Sequence, residues 1–394
     1  MPTQNKRATS KFTEKFIYRC INAGIIYQFA GSLCTESNDM IEFQQTWPKT
    51  QRPRPIVIIG AGSIVADAHM PAYRKAGLTV YGIYDPNLVK AESLAEKWNC
   101  RAYQTLDEAI GHEDVIFDLA TPPAAHTEIL KQLPIGAPVL IQKPMGENLD
   151  DASRILKLCT ERQLKAAVNF QLRFAPMSLA LKSAIDSGVL GTIVDFDGLL
   201  ALDTPWHLWK FLEGLPRVEI TLHSIHYLDL IRSILGNPAG IHARSMGHPS
   251  SQMSQTRTSA MLDYGNQVRC NLSINHNHYF GRKFQASEFR ICGTQGAAYM
   301  KMGVNLDYPA GELDELWINS GNNRNWEQIE LAGQWFPDAF VGRMLQLQRF
   351  VNGEESQLIS SVQDAWFTMA LIEAAYVSSA SPMTPVATPP DLST

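Results

Sequence analysis

Ile56-Val57-Ile58-Ile59-Gly60-Ala61-Gly62-Ser63-Ile64-Val65 changes character halfway along. Four apolar residues suit a strand buried on both faces, and after the glycine pair the apolar spacing becomes helical. A strand running through Gly-x-Gly into a helix sets backbone amides at a helix N-terminus, where a pyrophosphate is held. Gly60 lets the chain turn tightly and Gly62 lets phosphate approach the backbone, with Ser63 and Ile64 in the first helical turn. Val65 stands at the third position of the pattern, where a small residue is usual. Asp85 closes the next apolar run, 25 residues past Gly60, where a carboxylate accepts from an adenosine ribose diol. No Arg adjoins it to hold a 2′-phosphate, so NAD is the expected cofactor and NADP the less favoured one. The plain alternative is a turn glycine pair and a helix-capping Asp.

Outward from this point, strands are expected at Thr79–Tyr84, Val115–Ala120, Pro138–Ile141 and Ala166–Phe170. Helices fall between them at Asn87–Trp98, Ala124–Leu133 and Asp150–Arg162. That alternation predicts an α/β class with a Rossmann-type, doubly wound parallel sheet over 54–171. Past Arg173, strand-like segments follow in series from Thr192 to Leu331, interrupted by a helix at Ile220–Leu235. Two more helices, Phe340–Asn352 and Val362–Ala380, close the pattern. This predicts an α+β domain over 172–380 with a large open, mainly antiparallel sheet. Residues 381–394, rich in Pro, Ser and Thr, read as a disordered tail. Residues 1–53 read as an extension outside the fold. Their basic, acid-poor start and the apolar stretch Ile21–Ala30 leave an export or transit segment open.

The composition excludes several classes. With 34 Lys+Arg against 39 Asp+Glu the net charge is −5, which argues against nucleic acid as a partner. No run of 18 apolar residues exists, so no membrane-spanning helix is expected. The 6 cysteines are scattered without a Cys-x-x-Cys, arguing against a disulfide framework or zinc ribbon. A cytoplasmic location is expected.

Thr121-Pro122-Pro123-Ala124-Ala125-His126 and Gln142-Lys143-Pro144 each follow a parallel strand, at the end where such sheets bind ligands. Lys143 would direct an ammonium into the crevice. On the helix at 220–235, positions 219, 222, 223 and 226 share one face in 3.6-residue spacing. Glu219, His223 and His226 therefore form a candidate acid–base cluster, with a packed or capping role open for His223. Trp206 and Trp209, and Trp335-Phe336-Pro337, are candidate walls for a sugar, although large aromatics are more often core. In Asn275-His276-Asn277-His278 both histidines fall on one side of a strand, facing pocket, interface or solvent. No metal is expected.

These motifs resemble the glucose–fructose oxidoreductase / inositol 2-dehydrogenase (Gfo/Idh/MocA) family. The resemblance rests on Gly60-Ala61-Gly62 with His69-Met70-Pro71-Ala72-Tyr73, on Thr121-Pro122-Pro123 with His126, and on Lys143-Pro144. Arg173-Phe174 with Pro176 and His226-Tyr227-Leu228-Asp229 extend it over about residues 55–380. The resemblance implies nicotinamide-dependent oxidation or reduction of a sugar, polyol or related ring compound. Cofactor contacts are then expected at Gly60, Gly62, Ser63, Ile64, Asp85, Thr121, Pro122, His126 and Lys143. Substrate contacts are expected at Lys143, Arg173, Trp206, His223 and His226. His226 would take the hydroxyl proton while Lys143 stabilises the alkoxide, with His223 assisting. A homo-dimer or tetramer through the C-terminal sheet is also expected. Two residues depart from the family pattern: Gln142 replaces its Glu, and Leu222 stands where it has Asp. They keep two other readings open, an enzyme that retains NAD while cleaving glycosides, and a non-catalytic cofactor- or sugar-sensing protein.

Overall fold

The computed structural model describes residues 42–308, 311–321 and 325–387, the side chains of 209–211 excepted. The basic segment, Ile21–Ala30 and the end of the tail lie outside these residues, as does the side chain of Trp209.

Six strands form the first sheet: β1 (Ile56–Ile59), β2 (Val80–Tyr84), β3 (Arg101–Ala102), β4 (Ile116–Leu119), β5 (Pro138–Ile141) and β6 (Lys165–Val168). Their order is β3-β2-β1-β4-β5-β6 and every pairing is parallel. This is the dinucleotide-binding arrangement, with a crevice where the order reverses between β1 and β4. All four residues of β1 are buried, as its unbroken apolar run requires. The helices are α1 (Met70–Ala76), α2 (Leu88–Trp98), α3 (Leu106–Ile110), α4 (Pro123–Gln132) and α5 (Leu149–Glu161). Asn87, Thr105 and Asn148 cap α2, α3 and α5 by accepting from a backbone N–H three residues on. The short β3 and α3 escaped the sequence reading because neither is long enough to show a period.

A 3₁₀ turn (Gln171–Phe174) and α6 (Pro176–Asp186) lead into the second sheet. Its strands are β7 (Ile193–Ala201), β8 (Gly240–Met246), β9 (Arg257–Asp263), β10 (Arg269–Asn275), β11 (Ala286–Gly293), β12 (Ala297–Lys301), β13 (Glu315–Asn319) and β14 (Glu327–Ile329). The order is β14-β13-β12-β11-β7-β10-β9-β8, and only β7 with β10 is parallel. Gly198 on β7 leaves room for its neighbours: a Cβ there would come within 2.5 Å of Leu272 and Phe289. α7 (Ile225–Leu235), α8 (Trp335–Val351) and α9 (Val362–Ala380) complete the chain.

Two features cut across the sequence segmentation. Phe340, Met344, Leu345 and Leu347 of α8 pack with Ile56, Ile58, Ile116 and Leu140, so a helix from late in the chain covers the first sheet. Residues 43–53, expected outside the fold, lie against it. Phe43 is buried, Trp47 meets the edge of Phe174 at 5.2 Å, and its indole N–H donates to Glu355 at 2.8 Å. Among the described residues no helix is long and apolar enough to cross a membrane.

Candidate active site

The glycine loop sits at the switch point. Gly60 has φ +113°, and a Cβ there would meet the Ala120 carbonyl at 2.3 Å, so only glycine lets the loops after β1 and β4 touch. Gly62 has open space where its Cβ would be, and the helix starting at Ser63 leaves its first amides without intrahelical acceptors. Asp85 accepts from Ala61 N and Asn87 N, both at 2.8 Å, which fixes its carboxylate at the end of β2. Across the crevice the Thr121 hydroxyl is buried without a partner among the described residues. Glycine cradle, free amides, acid and orphaned hydroxyl fit a dinucleotide.

Lys143 follows β5 and is half-buried. Its ammonium donates to the Leu222 carbonyl at 2.8 Å, and burial lowers its pKa to about 8. Gln142 beside it accepts from Lys143 N at 2.8 Å and places its amide 3.2 Å from His69 Nε2. His69 Nδ1 lies 2.6 Å from Asp118, which also accepts from the Tyr73 hydroxyl at 2.7 Å. That network assigns the ring: Nδ1–H donates to Asp118 and Nε2 accepts from the Gln142 amide. A glutamate at 142 would instead offer a second acceptor to the same lone pair, which the Gln142 amide does not.

The helix carrying the histidines opens with a π turn, Ile220–Ser224, before α7. The wider turn pairs residues five apart, so Glu219 meets Ser224, whose hydroxyl donates to it at 2.6 Å, rather than His223. The expected Glu219–His223–His226 cluster does not form. Glu219, fully buried, also accepts from Thr258 and lies 3.6 Å from His276 Nε2. His223 packs instead against His276, ring centroids 4.7 Å apart, and against the edge of Trp206 at 5.2 Å. His276 Nδ1 is 2.7 Å from the Thr204 hydroxyl. His226 meets Trp335 at 5.7 Å and keeps Nδ1 buried without a partner among the described residues. Burial, then the His276 and Lys143 charges, hold His223 well below the usual imidazole range; burial, then Lys143 and His223, do the same to His226. Both rings are neutral at neutral pH.

Lys143, His223, His226 and Trp206 thus come together, with the glycine loop, Asp85 and Thr121 along the crevice. Two expected contacts are not available. Arg173 is spent on a buried bracket: Nε and Nη2 each reach Asp229 at 2.6 Å, and Nη1 reaches Asp364 at 2.7 Å. His126 is fully buried, with Nδ1 3.1 Å from Met145 O and Nε2 3.0 Å from Thr121 O. It ties the loops after β4 and β5 together and does not face a cofactor. Burial lowers its pKa against the pull of the two carbonyls, so the neutral ring donates to one of them. Sequence reasoning missed His69 and Asp118 as a supporting pair, and left His276 open between pocket, interface and solvent. The signal for Asp118 was its polarity inside the apolar run Val115–Ala120, and for His69 its place in the motif His69-Met70-Pro71-Ala72-Tyr73.

Two family models match the chain: an oxidoreductase family with an NAD-binding Rossmann fold over residues 54–170, and a GFO/IDH/MocA C-terminal domain over 178–299. D-apiose dehydrogenase of Rhizobium rhizogenes is 25% identical over 67% of this chain and 76% of its own. Glucose-6-phosphate 3-dehydrogenase of Bacillus subtilis is 34% identical over 45% of this chain and 53% of its own, about half that relative's length. An Agrobacterium radiobacter oxidoreductase, solved with NAD+, L-tartaric acid and magnesium, superposes with a TM-score of 0.72 at 20% identity. That match covers 84% of this chain and 97% of the other, and it bears on the fold.

Proposed function

The chain belongs to the Gfo/Idh/MocA oxidoreductase family, and from that premise we propose an NAD-dependent dehydrogenase or reductase of a sugar or polyol hydroxyl. The observation that carries the reading is Lys143, half-buried at the carboxyl end of β5 with its pKa lowered to about 8 by desolvation, among neutral histidines beside a dinucleotide cradle. Gly60, Gly62, Ser63 and Ile64 would hold the pyrophosphate, Asp85 the ribose diol, and Thr121 the cofactor's flank. When bound, nicotinamide supplies the hydride acceptor, or in reverse the donor.

The electrostatics redistribute the roles expected from sequence. A base works best when its pKa lies near the working pH, and His226 lies well below that, with no carboxylate four residues back to raise it. Lys143 lies close to it. In the oxidative direction neutral Lys143 takes the hydroxyl proton, and the resulting ammonium stays beside the oxygen as its C–H hydride leaves. His226 hydrogen-bonds the same hydroxyl and orients it. His223, set by His276 and Trp206, lines the approach. In the reductive direction the Lys143 ammonium returns the proton to the carbonyl oxygen.

Asp85 sets the cofactor choice. A 2′-phosphate would meet a carboxylate fixed by two backbone amides, and like charges at contact repel. The protein therefore turns over faster with NAD than with NADP, and Asp85→Ser with Asn87→Arg narrows the gap. A native preference for NADP, measured as kcat/KM, would overturn this reading of β2.

The open face of the second sheet exposes Leu199 and Met261 among charged neighbours such as Arg269 and Arg290. These two side chains stand on β7 and β9, either side of β10, and exposed apolar side chains on an uncovered sheet face suit self-association; we assign this face to a second copy. Light scattering should give a dimer or tetramer that Leu199→Lys with Met261→Lys dissociates. A monomeric native protein would contradict it.

A further inference from the structure

A cavity of about 550 Å³, within the range of small-ligand sites, shares a wall with the histidine cluster. Thr204 and Trp206 line it, and these residues also touch His276 and His223. Trp206 is buried and its indole N–H has no acceptor among the described residues, a donor left for a ligand. Tyr279 and Tyr308 add aromatic surface, and the Asn277 amide donates to the Tyr279 hydroxyl and anchors it.

The charges at this cavity are one-sided. Asp203 and Asp307 line it and make no side-chain hydrogen bond among the described residues, although, after the Glu312 hydrogen bond, the Asp307 charge helps raise the pKa of Arg282. The one arginine on the wall, Arg282, is already committed. Its Nε and Nη2 go to Glu312, the latter at 2.8 Å, and Nη1 to the Gln285 carbonyl at 3.1 Å. Glu312 stays anionic, its pKa lowered to about 2 by Arg282 and Lys301. Among the described residues no lysine or arginine of this wall is left uncommitted for a phosphate or carboxylate, and two carboxylates repel one. Free carboxylates between aromatic faces suit a neutral ring rich in hydroxyls. The acids accept from the hydroxyls, and the rings cover C–H faces.

We propose that this cavity is a subsite for a second, uncharged sugar ring, so that the substrates are glycosides or oligosaccharides rather than sugar phosphates, nucleotide sugars or sugar acids. The proposal rests on reading the Lys143 site as the place where the first ring is oxidised or reduced. The shared Thr204–Trp206 wall links the two rings' sites.

The test compares maltose, cellobiose and lactose with glucose, galactose and glucose 6-phosphate on the full chain, by cofactor reduction and by calorimetric binding. At least one disaccharide should exceed its monosaccharides about tenfold in kcat/KM, with glucose 6-phosphate the poorest. Tyr279→Ala with Asp307→Asn should raise the disaccharide KM about tenfold, the worth of lost charge-assisted hydrogen bonds and ring contact. Its kcat and the monosaccharide KM should stay within about twofold. Tyr279 is 42% exposed and outside the core, and Asp307 has φ 56°, which Asn also adopts, so the variant should fold. Equal use of mono- and disaccharides with an indifferent variant, or a preference for glucose 6-phosphate, overturns the subsite. If nothing reduces the cofactor, the reading of Lys143 fails and calorimetry still decides the cavity. Disaccharide binding weakened in the variant upholds the subsite; equal or absent binding refutes it.

Discussion

Replacing Lys143 with Met lowers kcat by about two to four powers of ten, the range general acid–base groups contribute, while the dissociation constant for NAD changes little. The cofactor's anchors, Gly60, Gly62 and Asp85, lie on other loops. The fold should not suffer. The ammonium is half-buried with one carbonyl as its hydrogen-bond partner among the described residues, so an apolar side chain of similar length keeps the melting temperature within a few degrees. The native enzyme carries the complementary signature in its pH dependence. Burial lowers Lys143 from its usual value to about 8, so the neutral form needed for oxidation grows as pH rises. Oxidative kcat/KM should climb through a midpoint near pH 8 and level off above it. The reductive direction needs the ammonium and should fall through the same midpoint. A limb centred near the ordinary lysine value, or a Lys143→Met enzyme that keeps its rate, would remove Lys143 from the chemistry.

Arg173→Met should destabilise the fold by about 3–5 kcal/mol, the cost of stripping one partner from a buried ion pair. Asp229, 1% exposed, would keep a carboxylate facing the vacated space. Arg232, whose Nη1 lies 3.8 Å from Asp229, compensates only in part. The bracket joins the turn after β6 to α7 and α9, so its loss loosens the packing behind the site and leaves the contacts within the site alone. Arg173→Met with Asp229→Leu should recover much of the loss, since a buried pair replaced by apolar groups is tolerated. Denaturant unfolding checks both variants. A single variant of native stability with a raised substrate KM would instead give Arg173 the substrate contact that its motif suggested.

The contrast between Lys143 and Arg173 shows what the sequence could convey. Gly60, Gly62, Asp85 and Lys143 are tied to strand ends, and strands of unbroken apolar residues are legible, so these positions could be placed before any coordinates. Arg173 sits in a motif as well, but its partner Asp229 lies on a different helix, and the pairing exists only once α7 packs against the turn after β6. Spacing along α7 misled for a local reason. The π turn at Ile220–Ser224 inserts a wider coil that leaves no mark on the apolar pattern, so Glu219 turned toward Ser224 and away from His223. His276 comes into the cluster from the end of β10, and His69 meets Asp118 across the sheet. The covering of the first sheet by α8, and the docking of residues 43–53, likewise depend on contacts between distant parts of the chain. Gln142 and Leu222, which looked like losses against the family pattern, have places in the structure. One places its amide against His69 Nε2, and the other supplies the carbonyl that holds Lys143.

The most direct measurement follows nicotinamide absorbance while the purified protein works through sugars, polyols, lactones and disaccharides with NAD. The account predicts net NADH formation in proportion to oxidised product with at least one hydroxyl substrate, and its loss in Lys143→Met. Cleaved glycoside without net reduction would make the protein an enzyme that retains its cofactor, and binding without any turnover would make it a sensor; either result contradicts the account.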